Sequence, residues 1–313
     1  MSDPQHVDVA VLEGVWGEAF DRLADRLSVR RLPHPAELAP LRGIRALVVR
    51  NRTRVDRSLL DGLPGLRIVA RAGVGLDNID LAAADQYGVV VSSPAGANAT
   101  SVAEHALGLA LAVARGTVPG DAGVRAGRWD RTPGRELAGG TWGVLGYGAT
   151  GRATAALARA LGMRVVAHDP YLTDRPDGVR LADLAQTARA ADVLSVHLPA
   201  TPQTRHLVDR TVLELLGPQG ILVNVGRGEA VDEDALADLL AANRLYGAGL
   251  DVRATEPPGA SRLHRLDRVV LSPHIAGITG ASQRRIAEIL AHDIDLVLAG
   301  QPAEHAVPAG GRQ

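Results

Sequence analysis

Short apolar runs alternate with stretches of helical periodicity along the whole chain. In the first third the runs fall at 7–12, 46–50, 67–70 and 89–91, with amphipathic segments such as 18–27 and 81–87 between them. Strands that take turns with helices predict parallel sheets covered by helices. A second series begins after Gly139-Gly140. Its strands read 141–145, 164–168, 193–196, 221–225, 247–251 and 269–271; its helices read 149–161, 181–189, 211–216 and 233–242. Six strands with their crossovers are the full complement of a dinucleotide-binding sheet. The predicted class is therefore α/β, with two Rossmann-like lobes of doubly wound parallel sheet.

Two helical stretches fit neither series. Residues 101–115 are rich in Ala and Leu and apolar on most faces, which predicts a buried helix between lobes or subunits. Residues 281–299 form a long amphipathic helix with no strand after it. It is expected to cross back onto the first lobe and make that lobe discontinuous. The lobes are then 1–97 with 281–313, and 98–280.

Composition narrows the class. Apolar residues make up 46% and charged residues 22%, a globular profile, and aromatics only 3%, so the core must be Leu, Val, Ile and Ala. A formal charge of −1 gives no reason to expect nucleic acid or a membrane surface as partner. Cysteine is absent, which excludes disulfides, thiolate nucleophiles and Cys-ligated metals, and no metal site is expected. Every one of the 34 basic residues is Arg, so Schiff-base and Walker-type lysines are excluded too. Met1-Ser2-Asp3-Pro4 opens no apolar signal core, and the apolar stretch 106–114 is far short of the ~20 residues of a membrane span. A soluble cytoplasmic protein is expected.

The strand at 141–145 runs straight into Gly146-Tyr147-Gly148-Ala149-Thr150-Gly151, and a helical stretch follows. Gly146 suits a tight turn, Gly148 lets the backbone approach a pyrophosphate, and Gly151 lets the helix pack close to the strand. The phosphates would sit on the free N–H groups of the helix N-terminus. The alternative is an ordinary strand-to-helix turn. Asp169 ends the next strand, 23 residues after Gly146, close to the ~20 expected of the acid that binds the adenosine ribose. A carboxylate there repels a 2′-phosphate, so NAD is expected rather than NADP, with Arg175 nearby as the residue that could moderate the choice.

Several further runs occur in a fixed order: Arg71-Ala-Gly-Val-Gly-Leu-Asp-Asn-Ile-Asp80, Val196-His-Leu-Pro-Ala-Thr-Pro-Gln-Thr-Arg-His206, Val223-Asn-Val-Gly-Arg-Gly-Glu-Ala-Val-Asp232, Leu250-Asp-Val-Arg-Ala-Thr-Glu-Pro-Pro258 and Ser272-Pro-His-Ile-Ala-Gly277. With the glycine loop they make the chain resemble the D-isomer-specific 2-hydroxyacid dehydrogenases over nearly its whole length, most of all the phosphoglycerate dehydrogenase branch. The resemblance implies that 1–97 with 281–313 binds substrate and 98–280 binds NAD. It implies a catalytic set of Arg227, Glu256 and His274. The chain also departs from the pattern: Ala149-Thr150 stands where Arg-Ile is common, and Arg253 replaces the usual Phe, beside Glu256.

Hydride transfer from an alcohol carbon leaves a proton on oxygen, and a histidine that titrates near neutrality can take it. His274 stands after a strand end, where ligands bind in open α/β sheets. A carboxylate partner, Glu256, would orient the imidazole and favour its charged form. Arg227 would pair with the substrate carboxylate through two parallel bonds and polarise the C2 oxygen. The resemblance implies that the turn at Val74 and Gly75 binds that carboxylate through backbone N–H groups. It implies that His197, Pro199, Thr204, Val225, Gly226, Asp251 and Gly277 line the cofactor cleft, although strand ends would read the same way. Arg50, Arg71 and Arg131 stand at places where phosphoglycerate-type members hold a phosphate.

The expected function is NAD-dependent oxidoreduction at C2 of a D-2-hydroxy acid, with 3-phosphoglycerate or another phosphate- or phosphonate-bearing acid as substrate. A non-phosphorylated acid of the glyoxylate or hydroxypyruvate type is the alternative. A corepressor-like NAD-sensing scaffold would need an exposed peptide groove and long tails. Formate dehydrogenases carry Gln where Glu256 stands. A homodimer through the nucleotide-binding lobe is expected. No C-terminal regulatory domain is expected after Gln313, and hence no serine feedback through one.

Overall fold

The computed structural model describes residues 5–15, 17–172 and 176–308. The chain divides into two compact units, Met1–Asn98 with Ile278–Gln313, and Ala99–Gly277.

Five strands build the first unit: β1 (Val9–Leu12), β2 (Val29–Leu32), β3 (Ala46–Val49), β4 (Ile68–Arg71) and β5 (Val90–Ser92). Their order is β2-β1-β3-β4-β5 and every pairing is parallel. Strands β1, β3 and β4 are buried along their whole length, so they read as unbroken apolar runs rather than alternating ones. Strand β2 is absent from the sequence reading. It carries Arg30-Arg31 and lies at the edge of the sheet, where charge is tolerated and guards against further pairing. Helices α1 (Glu18–Ala24), α2 (Arg57–Asp61) and α3 (Leu81–Gln86) connect the strands.

The second unit opens with α4 (Ala99–Arg115) and α5 (Thr117–Arg125). There follow β6 (Thr141–Leu145), α6 (Ala149–Ala160), β7 (Arg164–His168), β8 (Arg180–Leu181), α7 (Leu184–Ala190), β9 (Val193–Val196), α8 (Arg210–Leu216), β10 (Ile221–Asn224), α9 (Glu233–Ala241), β11 (Gly247–Leu250) and β12 (Val269–Leu271). The sheet is parallel in the order β12-β11-β10-β9-β6-β7-β8. It has seven strands where six were expected, because β8 is a two-residue exposed edge too short to leave a pattern.

Helix α4 is buried inside this unit. Val102, Ala106, Leu109, Ala110 and Val113 join one core cluster with Val144, Ala155, Ile221 and Val223. Its close approach depends on glycines in β11, since a Cβ on Gly249 would lie 2.8 Å from Leu109 Cβ. Trp142 is in the same cluster, and its indole N–H donates to Ser195 Oγ at 2.8 Å. Trp142 therefore belongs to the core of a central strand. Trp129 is exposed.

The last helix, α10 (Gly280–Leu298), belongs to the first unit. Ile286, Leu290 and Ile294 pack in one cluster with Val9, Phe20, Leu23 and Ala70.

Candidate active site

Both sheets reverse their winding direction once. In the second unit the reversal lies between β6 and β9, and the crevice outside the carboxyl ends of such strands is where open α/β sheets bind ligands. The glycine loop leaves β6 there and His197-Leu198-Pro199 leaves β9. These two loops touch. A Cβ on Gly146, whose φ is +87°, would lie 2.9 Å from the His197 carbonyl oxygen, and one on Gly151 would lie 2.0 Å from the Gly146 oxygen. The fold itself requires those two glycines.

Gly148 is different. A Cβ there would meet nothing within 4 Å. Asp56, Asp80, Asp183, Asp209 and Asp232 cap other helices with their side chains, but α6 starts at Gly148 with no side-chain cap. Ala149 and Thr150 open its first turn. Open space before uncapped N–H groups fits a dinucleotide pyrophosphate. Asp169 braces the loop by accepting the Tyr147 N–H on Oδ2 at 2.8 Å, and it accepts the Tyr171 N–H on Oδ1 at 3.0 Å. Carboxylate lone pairs remain for a ribose diol. Arg175 lies outside the described residues.

After β9, burial pushes the His197 imidazole down to about 3, so it stays neutral. Its Nε2 faces Ser195 Oγ at 3.0 Å. Thr204 closes its own turn, donating from Oγ1 to the Pro199 carbonyl at 2.7 Å. After β10, the Asn224 side chain grips the loop from both sides. Its Oδ1 accepts the Gly226 N–H at 3.1 Å and its Nδ2 donates to the Arg227 carbonyl at 3.0 Å. Val225 is buried beside it. Arg227 is thus set by its backbone.

Asp251 ends β11 and is 1% exposed. Its Oδ1 accepts from Ser272 Oγ at 2.5 Å and the Ile275 N–H at 2.9 Å; its Oδ2 accepts the Ala276 N–H at 2.8 Å. His105 on α4 reaches the same group, with Nε2 3.3 Å from Asp251 Oδ1 and 2.8 Å from Ser272 Oγ. Burial works to raise the Asp251 carboxyl, but these bonds outweigh it and hold it at about 2. Asp251 is therefore an anchor beneath the loop that carries His274 and leads to Gly277.

His274 Nδ1 lies 2.6 Å from Glu256 Oε2. His274 has a left-handed backbone, φ +56°, a conformation that costs a non-glycine residue roughly 1–2 kcal/mol. Its N–H donates to the Asp251 carbonyl at 2.8 Å, so the loop is held in that shape from below. Burial acts to raise the Glu256 carboxyl. The bond to His274, the Arg253 N–H and the charges of His274 and Arg227 overcome it and keep Glu256 below the ordinary range. An imidazole paired through one nitrogen with an ionised carboxylate leaves the other nitrogen to exchange a proton.

The first unit offers cations of its own. Glu13, in a left-handed conformation at the end of β1, collects the N–H groups of Arg50 at 3.3 Å, Arg52 at 3.0 Å and Thr53 at 2.7 Å. Asn78 Nδ2 donates to the carbonyls of Arg50 at 2.8 Å and Thr53 at 2.6 Å. The segment that bears Arg50 is fixed before any ligand arrives. Arg71 is buried at the end of β4, and its guanidinium lies against Gly73, where a Cβ would sit 1.7 Å from its Nη1.

The profile of the D-isomer specific 2-hydroxyacid dehydrogenase NAD binding domain matches residues 107–276. The chain belongs to that family. A D-3-phosphoglycerate dehydrogenase of Mycobacterium bovis is 42% identical over 297 residues, 92% of this chain and 56% of the relative. The chain thus spans little more than half the length of that curated relative. A hydroxypyruvate reductase of Thermotoga maritima is 39% identical, over 77% of this chain and 80% of its own. A crystal structure of a Thermus thermophilus protein superposes with a TM-score of 0.89 at 36% identity, covering 96% of this chain and 99% of that one. The matched residues of this 2-hydroxyacid dehydrogenase family member lie within its second unit.

The structure brings Glu256 and His274 together and sets Arg227 close enough for its charge to act on Glu256. Arg131 is exposed. The sequence reading missed the groups that hold these residues, namely Asn224, Ser272, His105, Glu13 and Asn78. Only Asn224 left a local signal, an Asn two residues before a glycine in a turn.

Proposed function

We propose that the chain is an NAD-dependent oxidoreductase that moves a hydride between nicotinamide and C2 of a D-2-hydroxy or 2-keto acid. One observation carries this reading: the 2.6 Å pairing of His274 Nδ1 with the Glu256 carboxylate, with the Arg227 charge acting on the same group. Bound nicotinamide supplies or accepts the hydride. In the reducing direction Arg227 pairs with the substrate carboxylate and draws electron density toward the C2 oxygen. His274, charged and held by Glu256, donates the proton from Nε2 to that oxygen, and in the oxidising direction it takes the proton back. Asp169 favours NAD by occupying the place a 2′-phosphate would need.

The substrate we propose is 3-phosphoglycerate or a related acid bearing phosphate or phosphonate. The name of the mycobacterial relative supports this, as does the fixed cationic segment at Arg50 with Arg71, Val74 and Gly75. Arg131 would add a further cation. The Thermotoga maritima relative's name favours a second reading, reduction of glyoxylate or hydroxypyruvate without a phosphate. We further propose a homodimer formed through the NAD-binding unit, where Val118, Val124 and Trp129 are exposed, and action in the cytoplasm on the cellular NAD pool. Among the described residues no helix is long and apolar enough to cross a membrane.

The deciding experiment is NADH oxidation by the purified protein over a panel of 2-keto acids with and without phosphate. Turnover of none of them would overturn the reading. Equal turnover of phosphohydroxypyruvate and hydroxypyruvate would overturn the phosphate preference.

A further inference from the structure

Between Asp251 and Glu256 lies a buried charge that the proton chemistry above leaves unused. Arg253 is 8% exposed. Its Nε donates to Glu233 Oε1 at 3.0 Å and its Nη2 to Glu233 Oε2 at 2.8 Å, a two-point fork. Its Nη2 also donates to Ser261 Oγ at 3.2 Å, and its Nη1 lies 3.1 Å from His264 Nε2. Glu233 Oε1 also accepts the Ala254 N–H at 2.9 Å, so the carboxylate holds both a side chain and the backbone of this loop. Glu233 itself is fixed, since it stands in the first turn of α9, whose N-cap Asp232 accepts the Ala235 N–H.

The backbone at Arg253 points the other way, into the active site. Its N–H donates to Glu256 Oε1 at 3.1 Å, while Glu256 Oε2 faces His274 Nδ1 at 2.6 Å. The two oxygens of Glu256 are thus assigned to different partners. The close approach of the loops adds to this, because a Cβ on Gly228, next to Arg227, would lie 1.9 Å from the Arg253 carbonyl carbon. A buried guanidinium is tolerated only when its donors are met, and a planar fork fixes orientation as well as distance. By contrast, Asp238 joins Arg210 and Arg262 in an exposed network that touches no part of the site.

We propose that Glu233 and Arg253 are positioning residues for proton transfer: their ion pair holds the Arg253 N–H on Glu256 Oε1 and so aims Oε2 at His274. The inference rests on the reading of Glu256 and His274 as the acid/base pair. The charged and titratable groups facing Glu256 are His274 and Arg227; those facing Arg253 are Glu233 and His264. When the pair is broken the N–H withdraws, the Glu256 carboxylate turns more freely, and the charged imidazole loses an aligned partner. The imidazole is then less well aimed for proton transfer, so kcat falls while KM holds.

The test uses the full chain with Glu233→Gln, Arg253→Met and the milder Arg253→Lys, and Asp238→Asn as a surface control. Two quantities are read. One is the chemical shift of the His274 imidazole NMR signal without substrate or cofactor, identified by its loss in His274→Gln. The other is the pair of constants kcat and KM for 2-keto acid reduction. Glu233→Gln and Arg253→Met should displace the His274 signal from its wild-type position and lower kcat about tenfold, with little change in KM. Arg253→Lys should fall between, and Asp238→Asn should change neither. A folded Glu233→Gln or Arg253→Lys protein with both the His274 signal and kcat unmoved overturns the proposal, even if its melting temperature drops. A signal that moves in a protein that reduces no 2-keto acid leaves the positioning role standing and overturns the functional reading instead.

Discussion

Asp251 accepts the N–H of Ala276 at 2.8 Å, and by that bond a fully buried carboxylate holds the far side of the loop on which His274 stands. The near side is held as well, through the Ile275 N–H and Ser272 Oγ. The loop is prepared before any ligand is bound, which is what a left-handed histidine requires.

The anchor has a stability signature in pH. The Asp251 carboxyl is held at about 2, below its unfolded value of 3.8, so its contribution is complete above about pH 4 and is lost as pH falls through about 2. The depression corresponds to stability on the order of 2 kcal/mol. Denaturant unfolding of wild type and Asp251→Asn from pH 6 down to pH 3 should show a stability gap that narrows only below about pH 4. A gap independent of pH across that range would show that the carboxylate charge is not what holds the loop.

His274→Ala should lower turnover by at least ~100-fold, the low end of general acid–base contributions. NADH affinity, measured by fluorescence titration, should barely move. Turnover within a few-fold of wild type would remove His274 from the chemistry.

How much of this was readable in the sequence depends on distance along the chain. The parallel strands were readable because burial on both faces makes them continuous apolar runs, as in Ala46–Val49. Arg30-Arg31 hid β2, and Pro119, Gly120 and Gly123 hid α5, which holds its helical shape despite them. Arg227, Glu256 and His274 stand in motifs that read locally. The groups that fix them do not: His105 and Ser272 are 167 residues apart and meet only because α4 packs on the sheet.

Asp169→Ala should weaken NAD binding and narrow the preference over NADP, since the ribose acceptor and the repelling charge leave together. It also removes the acceptor for the Tyr147 N–H, so the glycine loop should loosen. Dissociation constants for NADH and NADPH check this. A wild-type protein that binds NADPH more tightly would overturn the assignment.

Arg50→Ala and Arg131→Ala should each cost roughly 1.5–3 kcal/mol in kcat/KM for 3-phosphoglycerate and little for D-glycerate, as expected for a lost charge-assisted contact. The segment holding Arg50 is pinned by Glu13 and Asn78, so Arg50→Ala should leave the melting temperature unchanged. Equal effects on both substrates would mark these arginines as general surface charge.

Val118, Val124 and Trp129 are exposed at 50%, 54% and 78%, and covering them in a dimer would remove apolar surface from water. Sedimentation at micromolar concentration should give twice the mass of 32.7 kDa, and Trp129→Asp should lower it toward one chain. A wild-type monomer would refute the dimer.

The return of α10 to the first unit sets an order of birth. Residues 99–277 leave the ribosome as one uninterrupted unit and can fold as soon as they emerge. The first unit cannot, because Ile286, Leu290 and Ile294, which cover Val9, Phe20 and Leu23, are translated only after the whole second unit. Of the two units, the one begun earlier is thus completed later, and until α10 emerges the apolar sheet face that it covers stays open.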